Sequence, residues 1–400
     1  MGPINTLIIQ WPHYQPMNLL TEDPVPEAAR DTKARARTFA EERILPEAAS
    51  RDETGEYPSE ILSAAQEAEL AGRYFGAEYG GAGWTLADRL AVIEEFFRAD
   101  GGIGLALQLA DFGAKVVALH GSDEQRAAWL PPVAEEGVIT GLAATEQRGG
   151  SDLAGMETTA RREGDEYVLD GEKYWASNGA VADWVVVYAR TGDEPGHDAY
   201  SMLVVPTDTP GYDAEPIEDK MGLRSSQQAR IELDGARVPA ANLLGEPNRG
   251  FYQLAEFFNY GRIAVAGHGT GLAAAALEEA WEYVHERELY DRPVADKQTV
   301  RHELVELRET FEAARALAWT ACEHVAAGED PAFWASLAKS RATRAAEEIA
   351  RRGAQLHGGE GLRERNRSNK ILRDAAYPCV YEGANAVQRD IAYKHWPDGE

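Results

Sequence analysis

Apolar residues return every third or fourth position from Pro26 to about Pro132, shorten to a period of two between about Ile139 and Asn242, and resume the helical period after Gly250. The pattern predicts three successive units: helical, mainly β, helical. In the first, Pro26-Glu27-Ala28-Ala29 opens a charged helix and Pro58-Ser59 starts a second that ends at Gly72. Thr85 with Asp88 makes a capping arrangement ahead of Leu90, Val92, Ile93 and Phe96, and Ser122 with Gln125 repeats it as a capping box. Tyr79-Gly80-Gly81-Ala82-Gly83 reads as a turn between helices. In the β unit, Trp184 to Tyr188 and Met202 to Val205 are strands, and Asp170-Gly171 and Asp234-Gly235 are hairpin signals. The last unit carries alanine-rich helices over Leu272 to Glu286, Val300 to Ala326 and Phe333 to Leu356. No internal repeat, low-complexity tract or flexible linker interrupts them.

Composition narrows the partners. The 400 residues are 44% hydrophobic, enough for sizeable cores, and 67 acidic residues against 40 basic ones give a net charge of -27. That field opposes binding to nucleic acid or an anionic membrane. The acids are spread along the chain, so they read as a solvated acidic surface, not as one binding face. Two cysteines, Cys322 and Cys379, build no disulfide framework and point to a reducing, cytoplasmic setting. The nine histidines form no ligand-like cluster with them, so no metal is expected. No apolar run reaches the ~18 residues that a membrane span needs. The first residues lack a basic start and a long apolar core, so no signal peptide is expected there. Gly2 to Thr6 fits the loose myristoylation pattern, which Pro3 argues against. Residues 1–25 read as an irregular extension in which Met17 is an alternative start.

Three segments carry chemistry. Thr145-Glu146-Gln147-Arg148-Gly149-Gly150-Ser151-Asp152 lies where the helical pattern gives way to β. Its paired glycines let main chain approach a ligand closely and Thr145 and Ser151 offer hydroxyls, although a surface turn has the same composition. Lys173-Tyr174-Trp175-Ala176-Ser177-Asn178-Gly179 combines a broad indole face with a hydroxyl two residues on, the same side of an extended chain. Plain core packing of Trp175 is the competing account. Near the C-terminus, Tyr381-Glu382-Gly383-Ala384-Asn385 holds a lone acid followed by glycine. Such an acid usually sits on a solvated helix face, and its significance depends on the other two segments. Gly267-His268-Gly269-Thr270-Gly271 lies within a helical run and follows no strand, so it reads as close helix packing and not as a dinucleotide fingerprint.

Together with Lys220-Met221-Gly222-Leu223-Arg224-Ser225, Arg237 to Gly245, Gln355-Leu356-His357-Gly358-Gly359-Glu360-Gly361 and Arg373-Asp374, these segments resemble, in order and spacing, the signature blocks of the acyl-CoA dehydrogenase family. The resemblance runs from about Pro26 to Lys394. It implies an α+β chain with an N-terminal helical domain at 26–138, a central β-barrel-like domain at 139–246 and a C-terminal four-helix bundle at 247–400. It implies an FAD cofactor contacted by Leu142, Thr145, Gly150, Ser151, Trp175, Ser177, Ala384 and Asn385. Arg287 and Gln298 would reach the FAD of a neighbouring subunit, and Gln355, Gly358 and Gly359 would complete the nucleotide site. Ser151, Asn259, Arg262, Tyr381 and Gly383 would border an acyl-CoA. The chain would form a homotetramer, a dimer of dimers.

By the same resemblance, Glu382 is the base that removes the thioester α-proton, flavin N5 takes the β-hydride, and an electron-transfer flavoprotein takes the electrons. The Glu382 N–H and a flavin ribityl hydroxyl would hold the thioester oxygen. Relatives that place the base just before the arginine matching Arg262 have no counterpart here, because that residue is Gly261. The chain departs from the family pattern at Ala144, Gln147, Tyr290-Asp291, Leu362 and Ala384. Gln147-Arg148-Gly149-Gly150 is also similar to the adaptive-response branch, DNA-associated flavoproteins of the same fold. The net charge, the absence of an extra basic C-terminal region and the retained Glu382 weigh against that alternative. Residues Gly101 to Leu105 are expected to help set pocket depth, and Gly104 offers no arginine for a second carboxylate, so a dicarboxylic substrate is not expected.

Overall fold

The computed structural model describes residues 19–21 and 24–397. The reading of residues 1–16 and of Met17 lies outside them. Helices at Arg30–Phe39, Ser59–Glu67, Leu86–Ala99, Gly101–Leu109, Phe112–His120 and Asp123–Trp129 form the first unit. Both predicted capping boxes are present. Thr85 Oγ1 accepts from the Asp88 N–H at 3.2 Å while Asp88 Oδ2 accepts from the Thr85 N–H at 3.0 Å. Ser122 and Gln125 make the same exchange at 3.2 and 2.9 Å. Each satisfies orphan donors at a helix start, worth about 1 kcal/mol. Leu19 and Leu20 form no regular element yet are fully buried, and the Leu19 N–H donates to Glu278 at 3.2 Å.

The middle unit is a seven-stranded sheet: β1 Thr140–Ala143, β2 Thr159–Glu163, β3 Glu166–Ser177, β4 Trp184–Arg190, β5 Tyr200–Pro206, β6 Tyr212–Pro216 and β7 Gln228–Pro239. β1 pairs with both β4 and β3, and β2 with both β3 and β4, so the sheet curls back on itself as a barrel-like unit. Period-2 alternation then serves two cores at once. Val185 and Val187 of β4 face the interior with Leu203, Val205 and Ile231, whereas Trp184, Val186 and Tyr188 pack outward against the helical units.

Neither predicted Asp-Gly hairpin forms. β3 runs straight through Asp170-Gly171 and β7 through Asp234-Gly235, and the β3–β7 register shifts between Leu169 and Gly171. The residues opposite in β7 are Ala236 and Leu233, so Asp234-Gly235 is the extra length of a bulge, with Gly235 at φ +64° and its N–H bonded to Asp170 Oδ1 at 2.9 Å. The positive φ that an Asp-Gly turn needs is the same one a bulge uses, so the dipeptide alone does not separate them. The tight β2–β3 reversal lies instead at Gly164, φ +65°.

The last unit is an antiparallel bundle of Gly250–Glu286, Gln298–Ala326, Pro331–Leu356 and Asn385–Lys394, with Arg367–Ala375 packed across it. Its first helix is continuous for 37 residues. The glycines at 267–271 do what their setting predicts: a Cβ at Gly269 would lie 2.5 Å from the Ala342 backbone, and one at Gly271 2.6 Å from Glu94 O. The fully buried Glu94 beside them accepts from Arg315, Thr270 and Trp319, locking the first unit onto the bundle. Two signature blocks also meet. The Leu223 N–H donates to Asp374 Oδ1 at 2.7 Å, Arg373 Nη1 to Met221 O at 2.9 Å, and a Cβ on Gly222 would lie 2.6 Å from the Arg373 backbone.

Gly269→Ala should lower the thermal midpoint although alanine is the better helix former by ~1 kcal/mol, because two backbones must separate at an overpacking cost of about 1–3 kcal/mol. Differential scanning calorimetry that showed an unchanged or raised midpoint would contradict this packing.

Candidate functional site

Between the Arg367–Ala375 and Asn385–Lys394 helices the chain turns through Glu382 at φ +49° and Gly383 at φ +87°. The second residue is a glycine and takes that conformation freely; the first does so at a cost of ~1 kcal/mol or more. Other side chains impose it. Lys339 Nζ donates to Gly383 O at 2.7 Å, Asn385 Oδ1 at 3.1 Å and Cys379 O at 3.4 Å, and Gln388 Nε2 donates to Glu382 O at 3.2 Å and Gly383 O at 3.0 Å. Lys339 is fully buried among these carbonyls, and burial pulls its pKa down to about 8 against the opposing pull of Cys379 and Glu382.

Glu382 is partly accessible as a whole residue, but its Oε2 is buried and has no hydrogen-bond partner among the described residues. It faces a cavity of ≈ 270 Å³ whose walls include Phe112, Phe257, Gly261, Arg89, Gln108 and Lys115. Burial pushes the Glu382 pKa up to about 7, outweighing the surrounding Arg262, Lys339, Lys115 and Arg89 cations that pull it down. Gly261 makes the arrangement possible, because a Cβ there would collide with Glu382 Oε2. The residue that cannot act as a base is thus also the one that leaves room for Glu382.

The residues expected around a flavin gather at the edge of the barrel. Leu142 of β1 is buried opposite Ser177 of β3. The Tyr174 N–H donates to Thr145 O at 2.8 Å, and a Cβ on Gly150 would touch the Thr145 side chain at 3.1 Å. Glu146 anchors this loop, accepting from Glu157 N at 2.8 Å, Thr158 N at 2.9 Å and Lys173 Nζ at 3.0 Å. Burial opposes its ionisation, but Lys173 and those donors hold its carboxyl below the usual range. Trp175 is not core: at φ +59° its indole is 45% exposed. The hydroxyls of Thr145, Ser151 and Ser177 have no protein partner among the described residues. An open aromatic face flanked by unfilled hydroxyls fits an isoalloxazine ring.

The remaining expected residues fall into two groups. Asn259 Oδ1 accepts from Arg262 Nη1 at 2.5 Å, and the Arg262 guanidinium is buried with Nε unpartnered. The Tyr381 hydroxyl is hydrogen-bonded to His268 Nδ1 at 2.8 Å, Ala384 caps the last helix, and the Asn385 side chain is taken up by Lys339 and Thr343. Arg287, Gln298, Gln355, Gly358 and Gly359 are exposed, and none lines the Glu382 cavity. Stacking of Tyr283 on His357 at 4.2 Å puts the Arg287 end of its helix beside the Gly358 turn. Asp291 takes φ +59°, and its neighbour Tyr290 is 90% exposed.

Sequence reasoning missed Arg89, Gln108, Lys115 and Lys339. The available signal was a single lysine inside the apolar run Phe112 to Leu119 and another inside the alanine-rich Pro331–Leu356 helix, each on a face where a free charge is costly.

The chain matches, in sequence, the acyl-CoA dehydrogenase N-terminal domain at 26–137, the middle domain at 141–236 and the C-terminal domain at 248–396. A probable acyl-CoA dehydrogenase of Bacillus subtilis is 36% identical over 357 residues, 88% of this chain and 93% of the relative. A structure described as the electron transferring flavoprotein of Acidaminococcus fermentans, studied towards a mechanism of flavin-based electron bifurcation, superposes with a TM-score of 0.90 at 31% identity, covering 94% of this chain and 100% of the other. A Mycobacterium smegmatis glutaryl-CoA dehydrogenase in complex with FADH2 gives 0.87 at 28% identity over 92% and 94% of the two chains. The chain therefore belongs to the acyl-CoA dehydrogenase family, a family of FAD-dependent oxidoreductases.

Proposed function

We infer that this protein dehydrogenates an acyl-CoA thioester to the trans-2-enoyl-CoA, with Glu382 as the base for the α-proton. The observation that carries the reading is the buried Glu382 Oε2, without a hydrogen-bond partner among the described residues and facing a cavity of acyl size. A base with a pKa of about 7 is matched to proton transfer near neutrality, where its two protonation states are both populated. The Glu382 N–H has no partner among the described residues, which supports its assignment as a donor to the thioester oxygen. That bond acidifies the α-carbon while the carboxylate of the same residue takes the proton. Bound FAD supplies the acceptor for the β-hydride. Trp175 with Thr145, Ser151 and Ser177 would hold its ring, and Asn259 and Arg262 border the thioester. Lys339 and Gln388 fix the turn that aims the base.

Electrons would leave through an electron-transfer flavoprotein from a cytoplasmic homotetramer, a dimer of dimers whose neighbouring subunit is met by Arg287 and Gln298. The domain limits that go with this reading are 26–138, 139–246 and 247–400.

Glu382→Gln should keep its yellow colour and lose anaerobic bleaching by acyl-CoA by about 10²-fold or more; bleaching at the wild-type rate would rule out the base. Because the base must be unprotonated and burial holds its pKa at about 7, kcat/KM should climb between about pH 6 and 8 and level off above. A flat profile across that range would assign the proton transfer to another group.

A further inference from the structure

The polar wall of the Glu382 cavity is not needed to remove a proton, and its chemistry is one-sided. His268 bridges two groups, with Nε2 hydrogen-bonded to Gln108 Oε1 at 2.5 Å and Nδ1 to the Tyr381 hydroxyl at 2.8 Å. His268 is buried, stacked on Phe97 at 4.0 Å, and burial with Lys115 and Lys339 nearby keeps it neutral, so it has a single ring proton to give. Burial raises the Tyr381 pKa, so its hydroxyl keeps its proton. With the His268 proton assigned to Nε2, the relay runs from Tyr381 through His268 to Gln108 Oε1, and the Gln108 NH₂ at the cavity wall has no partner among the described residues.

Two cations join it. Lys115 is neutralised: it pairs with Asp111 at 2.8 Å, and the other Asp111 oxygen is taken by the Tyr74 N–H at 2.9 Å. Arg89 is not neutralised. Its guanidinium lies 5.2 Å from the Tyr74 ring centroid and forms no ion pair among the described residues. An all-hydrocarbon chain in this space would strip water from a guanidinium and a carboxamide and return nothing. A carboxylate would accept from both, in the forked geometry that arginine prefers.

Resting on the dehydrogenase reading above, we propose that the acyl group taken here ends in a carboxylate, the substrate being the CoA monothioester of a short dicarboxylic acid held by Arg89 and Gln108. The absence of an arginine at Gly104 does not decide the matter, because a Cβ there would lie 3.1 Å from the Phe96 backbone. The cation comes from the Leu86–Ala99 helix instead.

The test uses the flavin-loaded enzyme and scores anaerobic bleaching by glutaryl-CoA and adipyl-CoA against pentanoyl-CoA and hexanoyl-CoA, the unsubstituted chains of equal length. The wild type should favour the carboxylated member of each pair by about 10- to 100-fold in kcat/KM, chiefly through KM. Arg89→Met should reverse that preference and Arg89→Lys should retain part of it. A wild type that prefers the unsubstituted thioesters overturns the proposal while leaving the dehydrogenase reading intact; bleaching by no thioester of either kind overturns both. The wild-type ratio decides the matter even if a variant loses its flavin.

Discussion

The site depends on keeping one carboxylate out of water without giving it a partner. Four cations surround Glu382, and any one of them in direct contact would hold the acid ionised and weakly basic. The fold keeps each out of direct contact. Lys339 is consumed by backbone carbonyls, Lys115 by Asp111, Arg262 by Asn259, and Arg89 lies against Tyr74. Their field remains, but the close ion pair does not, and burial therefore sets the basicity. Gly261 completes the constraint by giving the side chain the space it occupies.

The same economy explains why widely separated segments recur together. The 220–225 block holds its shape through Lys220, whose Nζ donates to Leu223 O at 3.0 Å and Gln228 Oε1 at 2.7 Å, and it is bolted to the bundle through Asp374 and Arg373. Arg373 in turn reaches Asp52 of the first unit, at 3.1 Å from Oδ1. Three units thus meet at one junction, with the buried Asp374 shared between Leu223 N and Lys370. The junction links the barrel that carries the ring site to the bundle that carries the base.

Much of this was legible in the sequence because it is local. Helix starts are encoded three residues apart, as at Thr85 and Ser122, and close helix contacts in a glycine run, as at 267–271. The two Asp-Gly pairs were misread because local conformation is shared by turn and bulge, and only the pairing partner tells them apart. Trp175 stayed ambiguous for the converse reason: its left-handed backbone, which turns the indole outward from a strand, leaves no mark in composition. The cations around the cavity could not be brought together from sequence because each is a single residue on a separate helix, and their meeting with Glu382 is purely tertiary.

That last class of feature also shows why one aligned position is a poor guide to specificity. Gly104 and Gln108 are four residues apart on one helix, yet the first abuts the Phe96 backbone and the second lines the cavity. The difference is made by the neighbouring Leu86–Ala99 helix, which covers one turn of the 101–109 helix at Phe96 and contributes Arg89 to the cavity two turns earlier. Where backbones approach that closely, a side chain cannot be added at the contact, and charge enters the pocket from whichever helix has a turn facing it. The chemistry of the pocket is therefore a property of how two helices cross, and of the residues that the crossing leaves uncovered.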